Sequence, residues 1–212
     1  MRSQSNSQQT QCAKRKSLPF HHFPVNPKWH IPSNAECNAL WDKYDMPEHI
    51  RAHSEQVAHI ATTLGKVAVR RGLKISVESI TASALLHDIA KAYTIEYGGD
   101  HAWIGGSIVL SETGNPYVAQ GVLHHVHWDW PVDSDLCFLP LAIIYADKRV
   151  MHDCVVSLDE RFEDLVVRYG KSDKIIENIM KAKVLAKKIE QAFSEQLGIS
   201  LHEHSFNRGR LV

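Results

Sequence analysis

SVESITASALLHDIAKAY, residues 76–93, is the stretch on which the fold turns. Ile80, Ala84 and His87 recur at spacings of four and three, so an imidazole shares the apolar stripe of a helix, and Asp88 follows it directly. The spacing predicts one helix from Ser76 to about Tyr93, carrying a histidine and a carboxylate into the interior together. A carboxylate buried without a partner is strongly destabilising, whereas a divalent cation shared with neutral imidazoles offsets that cost.

Working outward, the same pairing of metal-type side chains with apolar periodicity appears twice more. Upstream, RAHSEQVAHIA (residues 51–61) belongs to a helix that Pro47 can open and Gly72 stops after about Arg71. His53, Val57, Ile60, Leu64 and Val67 share one face of it, so His53 points at the core. Downstream, IIYADKRV (residues 143–150) places Asp147 on an apolar helix expected from Phe138 to about Asp153. Between them, GGDHAWIGG (98–106) and VLHHVHW (122–128) add His101 and His125 on helices expected over Asp100 to about Thr113 and Pro116 to about His125. These two histidines could hold a second ion bridged by Asp88, and His124 and His127 crowd His125 closely enough to compete for that role.

The rest of the chain is helical in its periodicity. A helix begins after Ser33, and two amphipathic helices span Leu158 to Tyr169 and Lys174 to Leu197; no β-branched alternation is long enough to suggest a sheet. The fold class is therefore all-α. Residues 1–17 are Ser/Gln-rich, and SLPFHHFPVNPKWHIPS (17–33) holds four prolines that forbid a continuous helix. That divides the chain into a tail and Pro/aromatic arm over 1–35, a helical domain over 36–198 and a C-terminal tail over 199–212. The arm is either a disordered leader or a cover for the site or a neighbouring subunit.

Composition narrows the functional classes. Lys+Arg and Asp+Glu are equal at 24 each, so no overall positive field draws the protein to nucleic acid or anionic lipid. The longest apolar stretch, Cys137 to Ala146, contains Pro140 and is about half of what a membrane span needs. The N-terminus lacks the apolar run of a secretory signal, and a cytoplasmic location is expected. Cys12, Cys37, Cys137 and Cys154 form no CxxC pair and are expected to be reduced. Histidine is the unusual component, with 14 residues falling largely in or beside apolar helical segments.

The ordered set of His53, His87-Asp88 and Asp147, in the contexts HDIAK and YADKR, resembles the HD-domain superfamily of metal-dependent phosphohydrolases over roughly residues 45–153. The additional histidines are most similar to its dinuclear subset that hydrolyses diadenosine tetraphosphate. Where that subset has a Thr-x-Gly turn after its second-metal histidine, this chain reads His125-Val126-His127-Trp128-Asp129-Trp130-Pro131. The resemblance implies an HD-type helical bundle of five to seven helices, ligands at His53, His87, Asp88 and Asp147, second-metal ligands at His101 and His125, and Lys91 as a phosphate contact. Asp88 and Lys91 are the candidate catalytic residues, and Lys91, Arg149 and His124 the candidate substrate contacts.

The implied cofactor is one or two divalent transition-metal ions. Imidazole-rich ligation favours iron or manganese, with nickel, zinc or magnesium as alternatives. The implied partner is a small phosphorylated substrate such as a nucleotide, with neither nucleic acid nor membrane expected and room for a homodimer. Trp103, Trp128 and Trp130 either stack a nucleobase or fill the core. The rival reading is a non-catalytic nucleotide sensor on the same fold, which a missing ligand would mark; every ligand position is filled.

Overall fold

Ser33 opens the first helix through a complete capping box: its hydroxyl accepts from the Glu36 amide, and the Glu36 carboxylate accepts from the Ser33 amide. This helix, α1 (Asn34–Lys43), buries Cys37 and Trp41. After Pro47, α2 (Glu48–Arg70) presents His53, Val57, Ile60 and Leu64 to the interior, and Gly72, at φ 90, turns the chain where an L side chain would be strained. The computed structural model describes Phe20, Phe23, residues 25–202 and Phe206. The expected N-terminal tail and Cys12 lie outside these residues.

The decisive segment folds differently from the single helix its periodicity predicts. Helix α3 (Val77–Leu86) stops before the His-Asp pair, and a separate short helix, α4 (Lys91–Tyr97), follows a turn over residues 87–90. No proline or glycine causes the break. The reason lies in two side chains that take the last carbonyls of α3: the His87 Nδ1 donates to Ala84 O at 2.7 Å, and the Trp41 indole donates to Leu85 O at 2.9 Å. Those carbonyls are then satisfied without continued helix, and the chain bends at the chemical residues.

Helices α5 (His101–Thr113) and α6 (Pro116–His124) are capped by Asp100 and Asn115, whose side chains each accept two backbone amides. They approach closely through glycine. A methyl group at Gly106 would stand 2.9 Å from Leu123 Cβ, and one at Gly121 would stand 2.7 Å from both Leu139 and Ser83. Gly121 thus lets α6 lie directly on α3 and on α7 (Phe138–Lys148), the most completely buried helix of the bundle.

Helix α7 ends at Lys148, short of the expected Asp153, because the chain enters a two-strand antiparallel hairpin, β1 (Val150–Met151) and β2 (Cys154–Val155). Its tip residue His152 has φ 57. Helices α8 (Leu158–Tyr169) and α9 (Asp173–Leu197) then close the bundle, with Phe193 packed on Phe138 and Tyr145. The stretch expected to be a C-terminal tail contributes Leu201 and Phe206 to the core. No helix among the described residues is long and apolar enough to cross a membrane.

Candidate metal centre

Three buried imidazoles are oriented by the same device. His53 Nδ1 donates to His152 O at 2.8 Å, His87 Nδ1 to Ala84 O at 2.7 Å, and His125 Nδ1 to Val122 O at 2.7 Å. His87 and His125 each follow the last residue of a helix and bond back to a carbonyl three residues earlier. His53 sits mid-helix, where its own backbone carbonyls are occupied, so the hairpin tip supplies the acceptor. In the neutral rings these bonds place the proton on Nδ1 and turn the Nε2 lone pair inward.

The lone pairs face two carboxylates. His53 Nε2 lies 3.1 Å from Asp147 Oδ1, and His87 Nε2 lies 3.5 Å from Asp88 Oδ2 and 3.9 Å from Asp147 Oδ1. Asp88 divides its two oxygens: Oδ2 faces His53 at 3.9 Å and His87, while Oδ1 faces His101 at 3.3 Å and His125 at 3.6 Å. His101 and His125 bring their Nε2 atoms within 3.1 Å of each other. Lone pairs turned toward anionic oxygens at these distances repel unless a proton or cation lies among them.

Protons do not fill that role at His87 and His101. Burial pushes the His87 pKa down to about 3, and burial together with the neighbouring His125 pushes His101 down to about 4. Burial opposes ionisation of Asp88, but the Lys91 ammonium, 2.6 Å from Oδ2, outweighs it and holds the carboxyl well below the ordinary range. Asp147 is held low in the same way, against burial, by Lys148 and His53. The interior therefore combines neutral imidazoles with ionised carboxylates, the protonation states a divalent cation requires.

Two buried atoms test the fit directly. His87 Nε2 and Asp88 Oδ1 make no hydrogen bond of good geometry with the protein. Such orphaned atoms are costly in a core and are the donors a cation would take. His53, His87 and Asp147 form one group with ligand atoms close enough to share an ion, and His87, Asp88 and His125 form another. His101 adds a nitrogen beside the second group.

The cluster borders a cleft of about 960 Å³ through His53 and Asp88, which line it together with Lys91, His152, Arg161 and Arg168. Two expected substrate contacts do not reach it. Arg149 is 1 % exposed and its guanidinium donates to Val156 O at 2.7 Å, to Tyr145 Oη and to Leu201 O, tying the hairpin and α9 region to α7. It borders instead a groove of about 590 Å³ beside α9, lined also by Asp159, Lys187, Glu190 and His202. His124 packs against Phe20, Trp128 and Trp130, whereas His125 turns its Nε2 to Asp88, and those two tryptophans pack edge-on against protein rings. Phe20 of the arm lies in this aromatic cluster. Trp103 is exposed.

Residues 50–158, about half of the chain, match the HD domain family. The chain is a member of the HD domain family. The match begins just before His53 and ends just after the hairpin whose tip holds that histidine. HD domain proteins are metal-dependent phosphohydrolases that bind divalent ions, and the buried His/Asp groups here are suited to hold one. Among curated proteins the HD domain chain is similar to ribonuclease Y of Protochlamydia amoebophila (strain UWE25), with 29 % identity over 137 residues, which is 62 % of this chain and 25 % of the relative. The chain thus spans about a quarter of that protein's length. No solved structure matches it.

Two features of the centre had no usable signal in the sequence. The hairpin carbonyl that orients His53 belongs to the backbone, and a turn of His152-Asp153 lacks the glycine that marks such turns. Arg161 and Arg168 read as solvated residues of an amphipathic helix, and only the packing of α8 brings them to the cleft.

Proposed function

We propose that the chain hydrolyses a phosphate ester or phosphoanhydride of a nucleotide or related small molecule. The observation that carries this reading is the division of Asp88, which borders an open cleft and whose two oxygens face separate imidazole pairs. That arrangement suits a carboxylate shared by two ions. His53, His87, Asp88 and Asp147 would hold one ion, and Asp88, His101 and His125 a second, with iron or manganese favoured by the imidazole-rich donor set. Such ions, when bound, lower the pKa of water and neutralise phosphoryl charge.

The chain's own residues supply orientation and charge. The Nδ1 bonds of His53, His87 and His125 fix each ring before substrate arrives, so no reorganisation is required. Lys91 carries its ammonium at the boundary between Asp88 and the cleft, with a side chain 37 % exposed. Burial acts against that charge, but Asp88 and Asp147 raise the Lys91 pKa, keeping it cationic and able to hold a phosphoryl oxygen. Asp147 is neutralised on its outer side by Lys148, which leaves Oδ1 turned inward.

The full chain with added manganese should release phosphate or a nucleotide product from at least one class among mononucleotides, dinucleoside polyphosphates and cyclic nucleotides. Metal uptake without hydrolysis of any of them would count against the reading and favour a binding module.

A further inference from the structure

The part of the cleft wall formed by α8 contains a charged group that the reaction described above does not use. Arg161 lies one turn into α8, is 9 % exposed, and lines the cleft that holds Asp88 and Lys91. Its Nη1 donates to Asp164 Oδ2 at 3.2 Å, but its buried Nε has no hydrogen-bond partner. A buried guanidinium donor left unpaired is costly, and proteins rarely tolerate it without a ligand or partner.

Asp164 also accepts from Arg168 Nη1 at 3.3 Å. Arg161, Asp164 and Arg168 stand at intervals of three and four on one face of α8, so a single carboxylate serves two guanidiniums and this stretch of wall remains net positive. Glu48 and Asp153 line the same cleft, so its overall charge is mixed. Selection of an anion there depends on Arg161, whose buried Nε is unpartnered, because a planar guanidinium presents paired donors that match phosphate oxygens.

We propose that Arg161 binds a second phosphoryl group of the substrate, so that this enzyme prefers substrates carrying a phosphate beyond the scissile one. Lys91 serves the phosphoryl group at the metal centre, Arg161 serves its neighbour, and Asp164 with Arg168 holds the Arg161 fork in place. The inference rests on the cleft being a phosphohydrolase site and adds the substrate class.

The test is calorimetric titration of the manganese-loaded full chain with methylphosphonate and with methylenediphosphonate, which mimic one and two phosphoryl groups and are not hydrolysed. The wild type is expected to bind the diphosphonate roughly tenfold or more tightly than the monophosphonate, the scale of a charge-assisted hydrogen bond. Arg161→Gln should abolish that advantage while leaving monophosphonate affinity within about twofold. Arg161→Lys keeps the charge and the packing volume and should lose most of the advantage too, since lysine has no second donor in the plane; it decides the matter if Arg161→Gln melts early. Equal weakening of both ligands, or no change in either, overturns the inference. Absence of hydrolysis with the Arg161-dependent difference intact counts against the proposed reaction alone, and hydrolysis without that difference counts against Arg161 alone.

Discussion

Replacing Asp88 by asparagine keeps the shape of the side chain and removes the charge that both imidazole pairs face. The carboxylate is 1 % exposed, and its depressed pKa means that pairing with the Lys91 ammonium outweighs its desolvation in the metal-free fold. The metal-free variant should therefore melt somewhat below metal-free wild type. Loading widens the gap. With metal at about 1,000 times its dissociation constant, wild type gains about 4 kcal/mol. A ligand loss that weakens binding about 100-fold, the upper end for orienting partners of ligands and a floor for a bridging carboxylate, leaves about 1.4 kcal/mol. At 2–4 °C per kcal/mol for a domain of this size, the metal-induced rise in Tm should fall from about 10 °C to about 4 °C. Differential scanning fluorimetry with and without manganese reads both quantities, and hydrolysis should fall by orders of magnitude. An unchanged metal-induced rise with unchanged turnover would refute the bridging role; a lower Tm in both states with normal metal uptake would reduce Asp88 to a structural ion pair.

Lys91→Ala should raise KM or lower kcat while leaving bound metal and Tm near wild type, as measured by steady-state kinetics beside elemental analysis; unchanged kinetics would make Lys91 only the counter-ion of Asp88. The metal-free fold should lose stability as pH falls below about 6.5, because unfolded histidines bind protons there while His87, at about 3, and His101, at about 4, do not. The depressed Asp88 and Asp147 act in the same direction below the ordinary carboxylate range, since the unfolded carboxyls take up protons first. Urea midpoints that stay constant from pH 7 to pH 5 would contradict this. Gly121→Ala should cost about 1–3 kcal/mol, read as a lower urea midpoint, since its methyl would meet Leu139 and Ser83 at 2.7 Å.

Much of the fold was legible because periodicity is local. The faces of α2, α8 and α9, the Ser33 cap and the burial of His53 and Asp147 all follow from spacing and capping chemistry. The breaks were not legible. Helix α3 ends because His87 and Trp41 occupy its carbonyls, and Trp41 is 44 residues away in sequence. Helix α7 gives way to a hairpin whose turn carries no glycine. Sequence also placed Arg149 beside Asp147 and His124 beside His125, and proximity along the chain suggested shared chemistry. One residue along a helix is a rotation of about 100° and two residues about 200°, which directs His124 to the aromatic cluster and Arg149 to Tyr145 and Leu201. Arg161 was missed for the converse reason: nothing in its local sequence distinguishes it from a solvated arginine.

Six side chains from five segments, with His87 and Asp88 adjacent in one turn, are expected to hold the metal. Elemental analysis of the gently purified full chain, followed by manganese titration of chelator-treated protein, tests this most directly. About one to two transition-metal ions per chain are expected, with saturable uptake after chelation. Metal content near zero, with no uptake on titration of folded protein, would contradict it.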